Sequence, residues 1–175
     1  EICYIYRGET KLMAEVIKVT GKFAYVQVFE STRGLKVNDT VEFEGHMLEV
    51  TLGPGLLSKN YDGLQHDLAK MDGVFLKAGD YTEALDYDVD WEFTPIAKPG
   101  DTVIAGDWLG EVPENWASHK IMVPFKFKGS YTVKSVVDKG NYKVNETIAV
   151  LTDNDGNDIE VTMEQKWPVK MAITA

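Results

Sequence analysis

The chain has 175 residues, of which 44% are hydrophobic and 26% charged, a composition typical of a folded protein with one large domain or two small ones. Its net charge of −10 argues against a nucleic-acid partner, because phosphate backbones are bound by basic patches and none stands out. No run approaches the roughly 18 apolar residues of a membrane span, no signal peptide is visible, and the single Cys3 indicates a reducing, cytosolic compartment.

The first block, residues 1–53, has the pattern of short strands separated by turns. "KLMAEVIKV" and "FAYVQVF" are strand-like, and "TGK" between them forms a turn. Both alternating faces of "FAYVQVF" are mostly apolar, which predicts a strand in a small closed barrel or one covered by a neighbouring subunit. "TRGLKVNDTVEF" places Gly34 and Asn38-Asp39 at turns, and "HMLEVTL" ends the block. About six short strands therefore predict a small β-barrel.

The stretch "GPGLLSKNYDGLQHDL", from Gly53 to Leu68, interrupts the strand pattern and is called the strap below. Its Gly-Pro-Gly fixes one φ and frees two others, which gives a sharp exit from a strand. Leu64, Leu68 and Met71 recur at helical spacing and predict a short helix from about Asp62 to Ala69. We therefore predict a linker with a short helix over 54–73.

The second block, residues 74–163, again alternates strands and turns. "MDGVFLKAG" opens it with an Asp-Gly turn, and "KPGDTVIAGDWLGEV" has turns at Pro-Gly-Asp and Gly-Asp. "TIAVL" and "IEVTM" flank a hairpin signal at Asp155-Gly156. An extended exit segment follows over 164–175. The fold class predicted is all-β, with a small N-terminal β-barrel and a second β-rich lobe of barrel-sandwich or biotinyl-like form.

The glycines of the strap raise the question of a phosphate-binding loop. Such a loop needs backbone N–H groups followed by Gly-Lys-Ser/Thr. The strap has Gly53 and Gly55 without that sequence, and its Lys59 follows Ser58 instead of preceding a hydroxyl. A dinucleotide fingerprint also fails, because no βαβ unit surrounds the glycines. The pattern therefore favours a connection between two bodies.

The acidic run near the C-terminus resembles a calcium loop in part. Asp153, Asp155 and Asn157 fall at positions one, three and five, and Glu164 falls at position twelve. The sixth position, where such a loop turns on glycine, is Asp158, so a surface hairpin is the better interpretation. Three histidines lie far apart without metal-ligand spacing: His46, His66 and His119.

Other reactive or aromatic residues also lack a functional context. Cys3 and the serines have no nucleophile pattern, and the carboxylates of Asp86–Glu92 are typical of a solvated face. Trp108 is expected in the core, whereas Trp91 and Trp116 are candidates for an interface. We predict no catalytic, cofactor-binding or metal site in these residues.

The order of the pieces is more informative than any one of them. "GLKVNDTVE", "LGPGLLSKNYDGLQ", "KPGDTV" and "WPVK" together resemble the catalytic A subunit of V-type and archaeal A-type rotary ATPases along the whole chain, with the strap as the most specific part. The resemblance implies an N-terminal barrel joined by the strap to an inserted lobe, the bulge. Trp167-Pro168-Val169 then leads toward a nucleotide-binding domain. Two departures stand out: His66-Asp67 replaces the usual Arg-Pro after Gln65, and Lys170 replaces an arginine that is able to make bidentate contacts.

The same resemblance implies the function of a parent subunit. That subunit hydrolyses or makes ATP with Mg²⁺ at interfaces with B subunits in an A3B3 hexamer, coupled to H⁺ or Na⁺ transport, and lies in the cytoplasm at the periphery of a membrane complex. Its phosphate loop lies beyond Trp-Pro-Val. The chain is therefore expected to be a structural N-terminal fragment, with its barrel in a crown of neighbouring barrels and its bulge against a peripheral stalk.

A carrier of biotin or lipoic acid is the alternative. "KPGDTVIAGDWLGEV" and the strands after it resemble that swinging-arm fold, which displays one modifiable lysine at a hairpin tip. Lys120 follows His119 and leads directly into a strand, a poor position for such a lysine. A free-standing adhesion or glycan-binding β-protein is a third possibility, which predicts a secretion signal.

Overall fold

The computed structural model describes residues 1–71, 79 and 81–173, and within them the chain is almost entirely β. The Asp-Gly turn expected in "MDGVFLKAG" lies outside the described residues. The strands, in chain order, are β1 (Ile2–Arg7), β2 (Thr10–Thr20), β3 (Phe23–Val28), β4 (Val41–Phe43), β5 (Glu49–Leu52), β6 (Asp90–Pro95), β7 (Thr102–Val103), β8 (Trp108–Glu114), β9 (Ala117–Met122), β10 (Tyr131–Val136), β11 (Gly140–Lys143), β12 (Ala149–Thr152), β13 (Asp158–Val161) and β14 (Gln165–Pro168). The predicted all-β class is confirmed.

The N-terminal sheet is antiparallel, with the strand order β3-β2-β1-β4. Alternation along β1 and β2 turns Cys3, Ile5 and Ala14 into its small core. The turns expected from the sequence are present: Gly34 and Asn38 both adopt the left-handed φ that such turns require.

The last strand of the first block does not join this sheet. The sequence suggested about six strands in one barrel, but among the described residues four strands form the sheet and β5 pairs antiparallel with β14. Trp167 lies opposite Val50, and Val169 donates a hydrogen bond of 2.9 Å to the carbonyl of Leu48. The end of the first block and the exit segment therefore form one ribbon, and the second block is inserted between its two strands.

The inserted block, called the bulge, consists of two four-stranded sheets. Their orders are β11-β6-β8-β9 and β13-β12-β10-β7. One apolar core is shared by both sheets, and its largest fully buried side chains include Phe93, Leu109, Ile148 and Leu151. The close approach of β6 and β8 depends on Gly110, because a Cβ at that position would lie 2.2 Å from the ring of Phe93.

One kind of turn occurs four times in the part of the chain that the structure describes, and it explains several predicted turns. In each, the carbonyl of the first residue accepts the N–H of the fourth, and the carboxylate of the fourth accepts the N–H of the first. The turns are Lys36–Asp39, Lys98–Asp101, Ile104–Asp107 and Lys143–Glu146. Because both bonds are local, an acidic residue at the fourth position is a usable sequence signal for such a turn.

The helix expected from Asp62 to Ala69 is reduced to one 3-10 turn over Leu68–Lys70. The carboxylate of Asp62 accepts hydrogen bonds from the N–H groups of Leu64 and His66, and Gln65 has a φ of 66°. A side chain that binds nearby backbone N–H groups competes with the helical hydrogen bonds. The hydrogen bonds of Asp62 therefore prevent the helix that the apolar spacing of this segment predicts.

Candidate functional site

The place where the strap crosses from β5 to the bulge is the best-defined polar site in the described residues. Glu114, at the end of β8, is only 3% exposed. Its Oε1 accepts hydrogen bonds from the N–H groups of Gly55 at 2.7 Å and Leu57 at 3.1 Å, while its Oε2 lies 2.6 Å from Nδ1 of His119. The strap thus does present backbone donors to an anion, and that anion is a carboxylate of the same chain.

The contacts of Glu114 decide whether the strap is able to bind the ATP and Mg²⁺ that the resemblance to rotary ATPases implies. The donors of Gly55 and Leu57 are occupied by Glu114, and a phosphate placed there would meet the charge of a buried carboxylate. Lys59 lies 3.4 Å from Asp67 and is paired with it. No group of three or more potential metal-ligating side chains occurs in the residues that the structure describes. The strap does not fit a nucleotide, and no step is assigned to it.

Packing explains why glycine is required at Gly55. Its φ is 100°, a left-handed value that favours glycine, and a Cβ would lie 3.3 Å from the ring of Trp91. Trp91 was a candidate for an interface with another protein; the structure instead places its ring against the strap. The aromatic ring and Glu114 together hold the first part of the strap on the bulge.

The second part of the strap is organised by Asp62. Burial alone would raise the pKa of Asp62, but hydrogen bonds from the backbone and ring of His66 and from the N–H of Leu64 outweigh burial and lower it. His66, which is 7% exposed, has its Nδ1 2.8 Å from Asp62 Oδ2. His66 and Asp67 therefore both have partners within the strap. His66 pairs with Asp62, and Asp67 pairs with Lys59.

Tyr61 connects the strap to the chain that follows it. Its hydroxyl donates a hydrogen bond of 3.0 Å to the carbonyl of Ala84. Burial raises the pKa of Tyr61, and the nearby charges of Asp67 and Glu114 raise it further. The strap thus contacts the part of the bulge before β6 as well as the β8–β9 hairpin.

Gln65 fastens the strap to β5. Its Oε1 accepts a hydrogen bond from the N–H of Thr51, and its Nε2 donates one to the carbonyl of Thr51, both at 2.7 Å. The amide therefore completes the edge of β5 that faces away from β14, in the way that another strand would.

Tyr81 joins the segment after the strap to the N-terminal sheet. Its hydroxyl accepts a hydrogen bond from the N–H of Met13 and donates one to the carbonyl of Lys11, both at 2.9 Å. Glu30 Oε1 lies 3.3 Å from the same hydroxyl. Burial and then the charge of Glu30 raise the pKa of Tyr81 to about 12. Tyr81 thus satisfies backbone groups of β2 that β3 does not reach.

The exit segment is also tied to the N-terminal sheet. Lys170 Nζ lies 2.6 Å from Glu15 Oε1 on β2, so Lys170 forms an ion pair with the N-terminal sheet. The ring of Trp167 packs edge-on against Phe125, with 5.9 Å between centroids. Strap, exit segment and sheets therefore meet at one junction.

Two family models match the chain. The barrel-sandwich domain of ATP synthase alpha/beta subunits matches residues 82–170, and the beta-barrel domain of the ATP synthase alpha/beta family matches residues 1–45. The chain belongs to the ATP synthase alpha/beta family. The first of these matches covers most of the bulge and the first part of the exit segment, and the second covers the N-terminal sheet.

Individual relatives of this ATP synthase family agree along almost the whole chain. The V-type ATP synthase alpha chain of Treponema denticola is 51% identical over 99% of this chain. V-type ATP synthase alpha chain 1 of Treponema pallidum and the V-type ATP synthase alpha chain of Borrelia garinii are each 46% identical over 99% of it. The chain spans only about three-tenths of the length of these relatives, 30% to 31%.

The structure also places the remaining residues that sequence patterns singled out in this ATP synthase family member. Asp153 accepts hydrogen bonds from the N–H groups of Asp155 at 2.9 Å and Asn157 at 2.8 Å, and β12 and β13 flank the turn, so the hairpin interpretation is confirmed. Bonds from Asn157 lower the pKa of Asp153. Glu164, the twelfth residue of the supposed calcium loop, instead accepts a hydrogen bond from Tyr87.

The predictions about Trp108 and Lys120 have clear outcomes, and Trp116 remains a candidate for an interface. Trp108 was expected in the core, but it is 52% exposed at the first position of β8, where its side chain faces away from the shared core. Trp116 is 81% exposed at the tip of the hairpin that joins β8 and β9. Lys120 lies within β9, opposite Glu111 and paired with it, and so does not occupy the hairpin tip of a carrier lysine.

The remaining histidine, His46, and the single cysteine, Cys3, make only structural contacts in the described residues. The Nδ1 of His46 lies 2.8 Å from the carbonyl of the adjacent Met47 on the exposed surface. Cys3 is a buried core residue of the N-terminal sheet, and burial raises the pKa of its thiol. No helix in the described part of the chain is long and apolar enough to cross a membrane.

Proposed function

We propose that the chain is the scaffold part of the catalytic A subunit of a V-type or A-type rotary ATPase. The whole subunit would hydrolyse or synthesise ATP with Mg²⁺, coupled to the transport of H⁺ or Na⁺, and would lie in the cytoplasm at the periphery of a membrane complex. The observation that supports this proposal is the similarity to V-type ATP synthase alpha chains along nearly the entire chain. No catalytic residue is assigned to the chain itself.

The proposed division of the chain follows the sequence. Residues 1–53 are the N-terminal barrel block, whose last strand β5 pairs with β14 instead of joining the four-stranded sheet. Residues 54–73 are the linker, 74–163 the bulge and 164–175 the exit toward a nucleotide-binding domain. The antiparallel pairing of β5 with β14 supports an inserted bulge, because the chain leaves and returns at the same ribbon.

Partners are proposed from the exposed apolar surface of the N-terminal sheet. At the free end of the β2–β3 hairpin, large apolar side chains are 54% to 72% exposed: Ile17, Val19, Phe23 and Tyr25. Val41 and Phe43 are 41% and 51% exposed on β4, the opposite edge of the sheet. Exposed apolar patches of this kind mark protein interfaces. Two different edges suit a ring in which each barrel contacts a neighbour on both sides, such as alternating A and B subunits in an A3B3 hexamer.

A second surface is proposed for the peripheral stalk. On the bulge, Ile104, Trp108 and Trp116 are 55%, 52% and 81% exposed. Exposed tryptophan is common at the centre of protein interfaces. These side chains lie outside the shared core of the two sheets, with Trp108 at the start of β8 and Trp116 beyond its end, so a stalk subunit would meet them at two separate places.

A chimera tests the proposed function. We expect that replacing the matching segment of the Treponema denticola V-type ATP synthase alpha chain with these 175 residues preserves assembly and ATP hydrolysis when the chimera is expressed with the other subunits of that complex.

In the chimera, the double substitution Phe23→Ser and Tyr25→Ser should weaken assembly, because the hairpin surface would then bury less apolar area in the interface with its neighbour. Lys22→Ser, in the adjoining turn, is the matched control and should have little effect.

The two outcomes are measured by native mass spectrometry and steady-state ATP hydrolysis. A chimera that folds but does not assemble would contradict the proposed function. Unchanged assembly of the hairpin variant would contradict only the assignment of the hairpin surface.

A further inference from the structure

We propose that Glu114 is a built-in anionic ligand of the strap, and that this contact makes Gly-Pro-Gly a locked junction instead of a hinge. The inference concerns contacts within the chain and is independent of the proposed function. In this proposal the turn Gly55–Leu57 binds a carboxylate, and that carboxylate is the side chain of Glu114.

Two backbone donors converge on one buried oxygen of Glu114. The N–H groups of Gly55 and Leu57 both point to Glu114 Oε1, at 2.7 and 3.1 Å, and the residue is 3% exposed. Successive backbone N–H groups in a turn form a concave site for anions. An ionised carboxylate removed from water is strongly unfavourable unless such donors replace its hydration. Glu114 and the strap therefore depend on each other.

The hairpin that bears Glu114 also orients its carboxylate and contacts the strap at one further point. His119 on β9 faces Glu114 Oε2 across the hairpin, at 2.6 Å from its Nδ1, and fixes the orientation of the carboxylate. At the tip of the hairpin, Asn115 Nδ2 donates a hydrogen bond of 3.3 Å to Ser58 Oγ. The β8–β9 hairpin thus contacts the strap at Gly55, Leu57 and Ser58.

The two glycines of the strap, Gly53 and Gly55, have no room to act as a hinge. A Cβ on Gly53 would lie 3.0 Å from Leu85 Cδ1 and 3.3 Å from the carbonyl of Met163, and one on Gly55 would lie 3.3 Å from Trp91. At both glycines, neighbouring atoms therefore occupy the space that a side chain would fill. A hinge needs residues that are free to change φ and ψ, so the glycines here serve close approach.

Hydrogen exchange of individual amides tests the proposal in the 175-residue chain. We expect the Gly55 and Leu57 amides to be protected, and Glu114→Gln to increase their exchange by about tenfold or more, since hydrogen bonds to charged groups are the stronger kind. Amides of Val133 and Leu151, in the bulge core, should keep their protection. Glu111→Gln is the matched control: this residue lies on the same strand but pairs with Lys120 at the surface, and the substitution should leave Gly55 and Leu57 unchanged.

Chemical rescue distinguishes an anion site from simple packing. In Glu114→Ala, added sodium formate should restore protection of the Gly55 and Leu57 amides in a saturable way, whereas sodium chloride at the same ionic strength should not. Free exchange of these amides in the wild type, unchanged exchange in Glu114→Gln, or failure of formate to restore any protection in folded Glu114→Ala would overturn the proposal. If neither variant folds, a through-hydrogen-bond coupling between the Gly55 nitrogen and the Glu114 carboxylate carbon in the wild type decides: its presence supports the contact and its absence overturns it.

Discussion

Gly110→Ala is expected to destabilise the bulge by about 3 kcal/mol, at the upper end of the usual cost of overpacking a core. The added Cβ would lie 2.2 Å from two ring carbons of Phe93 and 2.9 Å from the carbonyl of Thr94. Phe93 is fully buried, and Thr94 is held in the ladder between β6 and β8. Neither neighbour is able to move without disturbing the shared core. Urea denaturation, analysed by linear extrapolation, gives the free energy of unfolding.

Gly63→Ala is the matched control for that substitution. A Cβ at Gly63 meets no atom within 4 Å and the residue lacks a left-handed φ, so its effect should stay within about 0.5 kcal/mol. Adding Phe93→Leu to Gly110→Ala should recover part of the lost stability, because the two positions share one space. Equal effects of Gly110→Ala and Gly63→Ala would contradict the close packing of β6 on β8.

Tyr81→Phe is expected to lower the free energy of unfolding by about 2 kcal/mol. The substitution keeps the ring but removes the hydroxyl that bonds to Met13 N–H and the Lys11 carbonyl. Two backbone groups of β2 would then be left without these partners. Tyr6→Phe is the control, because the Tyr6 hydroxyl donates to Glu42 on the exposed surface and its loss should cost much less.

The same residue gives a pH dependence. The pKa of Tyr81 is raised from the model-compound value of 10.0 to about 12 in the folded chain. Since the folded-state pKa is the higher one, the stabilisation is complete below pH 10 and is lost as the pH rises through 12. Other tyrosines with raised pKa values also contribute to alkaline unfolding: Tyr4, Tyr6, Tyr61 and Tyr87. The difference between wild type and Tyr81→Phe in denaturant titrations from pH 9 to 12 isolates Tyr81, and a constant difference would contradict its role.

Local features of this fold were predictable from sequence because their causes are local. The turns at Gly34, Asn38 and Asp155-Gly156 follow from residues that tolerate left-handed φ or cap their own turn. Alternating apolar residues gave the strands for a similar reason. The helix in the strap was predicted wrongly because Asp62 binds backbone N–H groups that a helix would use.

Long-range features were not predictable in the same way. β5 has the same pattern as the barrel strands before it, yet its partner β14 follows more than a hundred residues later. Glu114 is one of 28 acidic residues and contacts a segment 57 to 59 positions away. One signal was available: Glu114 shares the inward face of β8 with Val112, and a carboxylate at an inward position needs donors.

We propose that these 175 residues form scaffold and do not bind nucleotide themselves. The most direct test is calorimetric titration of MgATP into the 175-residue chain and, in parallel, into the chimera that carries the rest of the Treponema denticola subunit. We predict saturable binding to the chimera and no saturable heat with the chain at micromolar concentrations. Micromolar affinity of the chain alone, abolished by a substitution in the strap such as Lys59→Ala, would contradict the claim.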